Sequence, residues 1–149
     1  QRGIWHLYSA RTIENRVRYH PLFDTVDEEA RNTLMDHARF NPIDYQTPAQ
    51  LSVEEVWENL VVIISGNIKA YSSRKAASPC VEEYRVDQCL GTIRLVSDHN
   101  PYTQIEVSPG TQFICIPWEI AFPLRGKFDK FDTQLLKLGS MERQLRGLE

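Results

Sequence analysis

The sequence predicts an α+β domain, an antiparallel β jelly roll flanked by N-terminal and C-terminal helices. Three observations carry this prediction. Five consecutive apolar residues, Leu60-Val61-Val62-Ile63-Ile64, run into Ser65-Gly66-Asn67 and then Ile68-Lys69-Ala70-Tyr71. That pattern is a buried strand, a tight turn with Gly and Asn able to take positive φ, and an alternating return strand, a β-hairpin. Residues 81–86 and 103–116 also read as strands, with period-two alternation and a second hairpin. Helical periodicity is confined to the two ends, so the order of parts is not the β-α-β alternation of a parallel sheet.

The chain has 149 residues, enough for one domain with a real core and too few for two typical ones. Its apolar fraction of 42% and charged fraction of 25% are those of an ordinary globular domain. The net charge of −3 comes from acids and bases mixed along the chain, with no basic stripe to track a phosphate backbone. A nucleic-acid partner is therefore not expected. No run approaches 18 apolar residues, the length a membrane-spanning helix needs. Cys80, Cys89 and Cys115 are odd in number and widely spaced, without a CxxC pair, so neither a disulfide framework nor a zinc site is indicated. A reducing, cytoplasmic setting is expected. The chain opens at Gln1 with no signal-peptide pattern and reads as a piece of a longer protein, with a membrane-associated parent compatible with that reading.

Residues 1–19 form a helical lead-in. Ile4, Leu7 and Tyr8 share a face that Ile13 and Val17 extend, while Arg11, Glu14, Arg16 and Arg18 mark a solvated side. His20-Pro21 stops that helix, because proline pushes the preceding residue out of the α region. Residues 20–149 form the domain proper. Leu22-Phe23 is an apolar plug, and Asp27-Glu28-Glu29 supplies negative charge to the first turn of a second helix. That helix is predicted to run to about Arg39, burying Ala30, Leu34, Met35 and Ala38. Pro42 and Pro48 forbid its continuation, and a β-roll occupies about residues 40–117. Residues 72–80 form a polar loop. In the strand that follows, Tyr84 and Val86 share one face and Glu83 and Arg85 the other. Thr103, Ile105 and Val107 then alternate with polar residues, Pro109-Gly110 turns, and Phe113 to Ile116 return as a buried strand.

Helices occupy about residues 118–149. Pro123 and Gly126 predict a kink or short loop after Phe122. Beyond it, Phe128, Phe131, Leu135, Leu138, Met141, Leu145 and Leu148 recur every three or four residues, one stripe along a long helix. Phe128, Phe131 and Leu135 are assigned to packing on the domain itself. Leu138, Met141, Leu145 and Leu148 are candidates for a partner or homodimer contact, with Gly139 a possible break between the two uses.

No catalytic set emerges, so no enzyme is predicted. His6, His20, His37 and His99 are scattered and form no His-x-His pair for a metal. Cys115 lies within an apolar strand, and the Asp27–Glu29 acids suit a helix start better than a carboxylate pair. Neither a P-loop nor a dinucleotide fingerprint is present.

His20-Pro21-Leu22-Phe23 before a helix, the run from Leu60 to Tyr71, Gly91, Pro101, the alternation to Ile116 and the terminal helices occur in a particular order. In that order and spacing, residues 20–149 resemble a cyclic-nucleotide-binding domain, the module of bacterial catabolite-activator regulators, kinase regulatory subunits and gated channels. The resemblance makes residues 90–103 a phosphate-binding cassette. In the family it opens Phe-Gly-Glu-Leu-Ala-Leu and closes Pro-Arg-Ala or Pro-Arg-Thr. The Glu accepts from the ribose 2′-hydroxyl and the Arg pairs with the cyclic phosphate. Here the cassette reads Leu90-Gly91-Thr92-Ile93-Arg94-Leu95, then Pro101-Tyr102-Thr103. The Gly and Pro are kept, while Thr92 stands for the Glu and Tyr102 for the Arg. Losing a charge-assisted phosphate contact costs on the order of 1.5–3 kcal/mol, tenfold or more in affinity.

The expectation is therefore a non-catalytic regulatory or interaction domain with a degenerate cassette. It would act on a protein partner or on other domains of its parent, for which a transporter, channel, kinase or exchange factor are the candidates. No cofactor is expected. The alternative is a genuine sensor of cAMP, cGMP or another small ligand, whose binding would reposition the terminal helices. Its ligand contacts would be Gly91, Thr92, Ile93, Arg94, Pro101, Tyr102 and Thr103. Arg94 either supplies the missing cation or faces solvent or an acid such as Asp98. Tyr102 either fills the pocket with its own ring or stands at the rim.

Overall fold

The strand Asn59–Ser65 buries both of its faces. Leu60, Val62 and Ile64 enter one core, and Val61 and Ile63 enter another. That is why the run is apolar without interruption, where a half-exposed strand would alternate. The computed structural model describes residues 19–24, 26–40, 50–73 and 79–145, with residues 40, 73, 79, 80 and 140–145 described by backbone alone. Nearly all of the predicted lead-in helix, and Leu148, lie outside the described residues.

In chain order the described elements are α1 (Glu28–Asp36), β1 (Arg39–Phe40), α2 (Val53–Glu58), β2 (Asn59–Ser65), β3 (Asn67–Ser73), β4 (Pro79–Arg85), β5 (Cys89–Leu90), a 3-10 turn (Thr92–Leu95), β6 (Tyr102–Val107), β7 (Gln112–Pro117), α3 (Trp118–Lys127) and α4 (Asp129–Leu145). One antiparallel sheet has the order β1-β7-β2-β5 and the other β4-β3-β6. The helices, with the turn that precedes α1, cover the first sheet through Leu22, Phe23, Leu34, Trp118, Phe131 and Leu135. The two sheets share an inner core of Val61, Ile63, Leu90, Phe113 and Cys115 against Ile68, Ala70, Tyr84, Tyr102 and Val107. The predicted α+β class and flanking helices are present, but among the described residues the sheets face each other without closing into a barrel.

The two predicted hairpins need correction. Turns occur at Gly66 and Pro109-Gly110, yet β2 and β3 lie in different sheets, as do β6 and β7. Instead β2 pairs with β7 and β3 with β6, so one two-stranded ribbon bends from sheet to sheet. Gly66 makes the bend at φ +84°, while Asn67 keeps a negative φ. A Cβ on Gly66 would lie 2.3 Å from Thr111 Oγ1 and 2.7 Å from Thr111 Cα. The Asn67 N–H donates to Thr111 Oγ1 (3.1 Å), whose hydroxyl donates to the Asn67 carbonyl (3.0 Å). Local periodicity reports a strand and a turn, but not which strand becomes the neighbour.

Other boundaries shift for identifiable reasons. α1 ends at Asp36 because Arg39 and Phe40 pair with Cys115 and Ile114, and Met35 and Ala38 are only partly buried. In β4 it is Glu82 that shares the inward face with Tyr84, whereas Val86 sits half-exposed in the following turn. Pro123 does not break α3. Its ring is on the exposed side, where solvent reaches the carbonyl left without an i→i−4 partner. The break comes at Phe128, and α4 then passes through Gly139 without interruption. Leu138, expected to face a partner, is 5% exposed in the chain's own core beside Phe131 and Leu135.

Candidate functional site

The cassette is built outward from β5. Pairing of Leu90 with Val61 delivers the chain to Gly91, which holds φ +100°. A Cβ there would lie 2.8 Å from the Val56 carbonyl oxygen and 2.9 Å from that of Asn59. Only glycine allows this approach without moving backbone. The 3-10 turn follows, with Thr92 and Ile93 buried and Arg94 N–H donating to the Gly91 carbonyl (3.1 Å).

Arg94 turns toward α2. Its Nη1 donates to the Trp57 carbonyl at 2.6 Å, and its guanidinium lies 4.6 Å from the centre of the Trp57 ring. A cation over an indole face is attractive, and the last turn of a helix carries carbonyls that need donors. Among the described ion pairs none joins Arg94 to Asp98. At the other end of the cassette, Asn100 Nδ2 donates to the Val53 carbonyl (3.0 Å) while its Oδ1 accepts from the Tyr102 N–H (3.1 Å). The cassette thus grips both ends of α2.

Helix α2 escaped the sequence reading. Its mark was present, because Ser52-Val53-Glu54-Glu55 is a capping box. Ser52 Oγ accepts from Glu55 N–H (3.1 Å), and Glu55 Oε1 accepts from Ser52 N–H (3.0 Å). The Ser52 N–H, with Arg39 assisting at 2.9 Å, holds the Glu55 carboxyl below its ordinary range despite partial burial.

Tyr102, at the start of β6, is 4% exposed in the core between the sheets, with Ala70, Tyr84 and Ile93. Pro101 is half-buried, and Thr103 faces outward, its hydroxyl donating to the Tyr71 carbonyl (3.2 Å). Of the predicted ligand contacts, Thr92, Ile93 and Tyr102 are buried, and Arg94 and Thr103 contact the protein's own carbonyls. Of the predicted partner contacts, Leu138 is in the core, and the side chains of Met141 and Leu145 lie outside the described residues. Burial pushes the Cys115 thiol up to about 11, as suits a core residue.

No protein-family model matches the sequence, and no curated protein matches it. Solved structures do. The regulatory domain of Toxoplasma gondii PKA, in co-crystals with cAMP, aligns with TM-score 0.62 at 16% identity over 89% of this chain and 49% of that one. The regulatory subunit of a cAMP-independent protein kinase A from Trypanosoma brucei gives 0.63 at 11% identity, over 97% and 52%. The sensor domain of the Pseudomonas aeruginosa transcriptional regulator DNR gives 0.62 at 14% identity, over 91% of each. The fold is that of a cyclic-nucleotide-binding domain. The chain spans about half the length of the two kinase regulatory chains. Within this cyclic-nucleotide-binding fold, the turns at Gly91 and Pro101 frame a cassette whose interior positions hold Thr92 and Tyr102.

Proposed function

We propose that the chain is a non-catalytic regulatory and interaction domain of a larger protein, and that it does not take a cyclic nucleotide in the usual way. Its similarity to kinase regulatory subunits and to the sensor domain of a transcriptional regulator supports the regulatory part. The fold is compatible with either state of the cassette, since one neighbour was crystallised with cAMP and another is described as cAMP-independent.

The observation that carries the second part is Tyr102. A phosphate held between the sheets needs a cation or converging N–H donors. At the position the resemblance gives to arginine stands a tyrosine, itself packed into the inner core. Arg94 is the only Lys or Arg in residues 90–103, and it is engaged with the carbonyl and ring of Trp57. The domain then acts through contacts with other domains of its parent or with a protein partner, in a cytoplasmic setting. No described helix is long and apolar enough to cross a membrane.

Calorimetric titration with cAMP and with cGMP tests this reading. The expected result is no saturable heat up to about 1 mM ligand, an affinity below about 4 kcal/mol. Micromolar binding abolished by Arg94→Ala would replace it with a sensor that uses a non-standard cassette.

A further inference from the structure

We propose that His20 is a pH-sensitive latch between the start of the domain and the turn joining β4 to β5. The ring is 2% exposed. Its Nδ1 accepts the Leu22 N–H at 3.1 Å, and its Nε2 lies 3.2 Å from the Gln88 carbonyl oxygen. A carbonyl only accepts, so Nε2 carries the hydrogen and Nδ1 the lone pair. The neutral ring is the one form that satisfies both partners.

Each partner leads into the body of the domain. The Gln88 carbonyl also accepts from Ile63 N–H in β2 (3.2 Å), and the Gln88 side chain accepts from Arg85 N–H (2.6 Å). Leu22 and Phe23 are fully buried in the helix-side core, with the Phe23 ring edge-on to His20 at 6.4 Å. From α4, Gln134 donates to the Pro21 carbonyl at 2.5 Å. Asp87, in the β4–β5 turn, is the charged group acting on the ring among the described residues. Leu22, Phe23, Gln88 and Gln134 are neutral, and Arg85 meets Gln88 through its backbone N–H.

A proton arriving at Nδ1 places an N–H against the Leu22 N–H. Two donors then face each other at hydrogen-bond distance, and the Leu22 N–H must leave the ring, while Phe23 and Asp24 N–H still donate to the His20 carbonyl (2.9 and 3.0 Å). Burial disfavours the charged ring and lowers its titration below 6.5, outweighing the Gln88 carbonyl and Asp87, which favour it. The sign follows. The latch is closed above 6.5 and releases as pH falls through the lowered value of the folded state. Release frees Leu22 from the ring, while the charged ring keeps its Nε2 hydrogen on the Gln88 carbonyl that it shares with Ile63 N–H, whether or not the cassette takes a ligand.

An NMR titration of the whole chain from about pH 7.5 to about pH 4.5 tests this, following the His20 ring nitrogens and the Leu22 and Ile63 amides. The expected result is a single midpoint below 6.5 for ring and amides. Exchange of the Leu22 amide, corrected for its intrinsic pH dependence, rises about tenfold across it. Asp87→Asn moves that midpoint lower, and His20→Gln abolishes the step. If the His20→Gln chain does not fold, the wild-type and Asp87→Asn titrations still decide. A ring that titrates while the Leu22 and Ile63 amides stay unchanged would overturn the latch. So would a ring that remains neutral with both amides protected to about pH 4.5.

Discussion

Gly66 and Gly91 share a backbone conformation, with φ of +84° and +100°, and differ in what presses against them. Thr111, the residue before β7, crowds Gly66 from the other side of the same ribbon. The carbonyls of Val56 and Asn59 crowd Gly91 from a different part of the chain. The first glycine lets a ribbon pass between two sheets, and the second seats a cassette on a helix. A fold corner and a candidate site therefore rest on the same backbone constraint, but the corner is self-contained and the site depends on α2. The largest expected effect is at the corner. Gly66→Ala adds strain at positive φ to a contact with backbone, and should cost about 4 kcal/mol in urea or thermal unfolding. Gly91→Ala should cost about 3 kcal/mol by the same measurement, because the two carbonyls it meets sit at the more yielding end of a short helix. A loss under about 1 kcal/mol at Gly66 would mean that the corner relaxes freely and the comparison is wrong.

The cassette repeats the contrast on a smaller scale, between a buried residue and a half-buried one. Tyr102 belongs to the core between the sheets, so Tyr102→Ala should cost about 3–4 kcal/mol of stability. Arg94 is half-buried against Trp57 of α2. Arg94→Ala forfeits one hydrogen bond to a helix-end carbonyl and one cation–π contact, together about 1–2 kcal/mol. Denaturation curves of the two variants should be ordered accordingly. Equal losses would show that Arg94 supports more of the domain than its contact with Trp57 accounts for.

The frame was legible where one residue's own geometry dictates the outcome. The five apolar residues from Leu60 announced a strand buried on both faces, and Gly66 and Gly91 stand where the backbone turns. Sheet membership was not legible, because an alternating strand looks the same whichever neighbour it pairs with. For the same reason the stripe on α4 could be seen, but not that Leu138 stays inside. Cassette chemistry was half legible. The loss of the two charged readers at Thr92 and Tyr102 is written in the sequence. The destination of Arg94 is not, since its contact with Trp57 spans 37 residues with no periodic mark. Helix α2 was written in Ser52 and Glu55 and needed only the capping box to be weighed against the surrounding β-branched residues.

That capping box gives the smallest effect and ties the two regions together. Ser52→Ala removes the acceptor for Glu55 N–H and should cost about 1 kcal/mol. Glu55 is held below its ordinary 4.5, first by the Ser52 N–H and then by Arg39. Its contribution is therefore complete above 4.5 and is lost as pH falls through the lower value of the folded state. Unfolding followed from about pH 5.5 to about pH 3 should show this loss in the wild type and much less of it in Glu55→Gln. Arg39→Ala should retain most of it, because an exposed ion pair contributes under about 0.5 kcal/mol. The carbonyls that hold Asn100 and Arg94 come from the two ends of α2, at Val53 and Trp57. Fraying of α2 in Ser52→Ala should therefore speed hydrogen exchange at Arg94 and Tyr102 while leaving Asn67, at the ribbon corner, unchanged. Faster exchange at all three would mean that the cassette and the corner unfold as one unit.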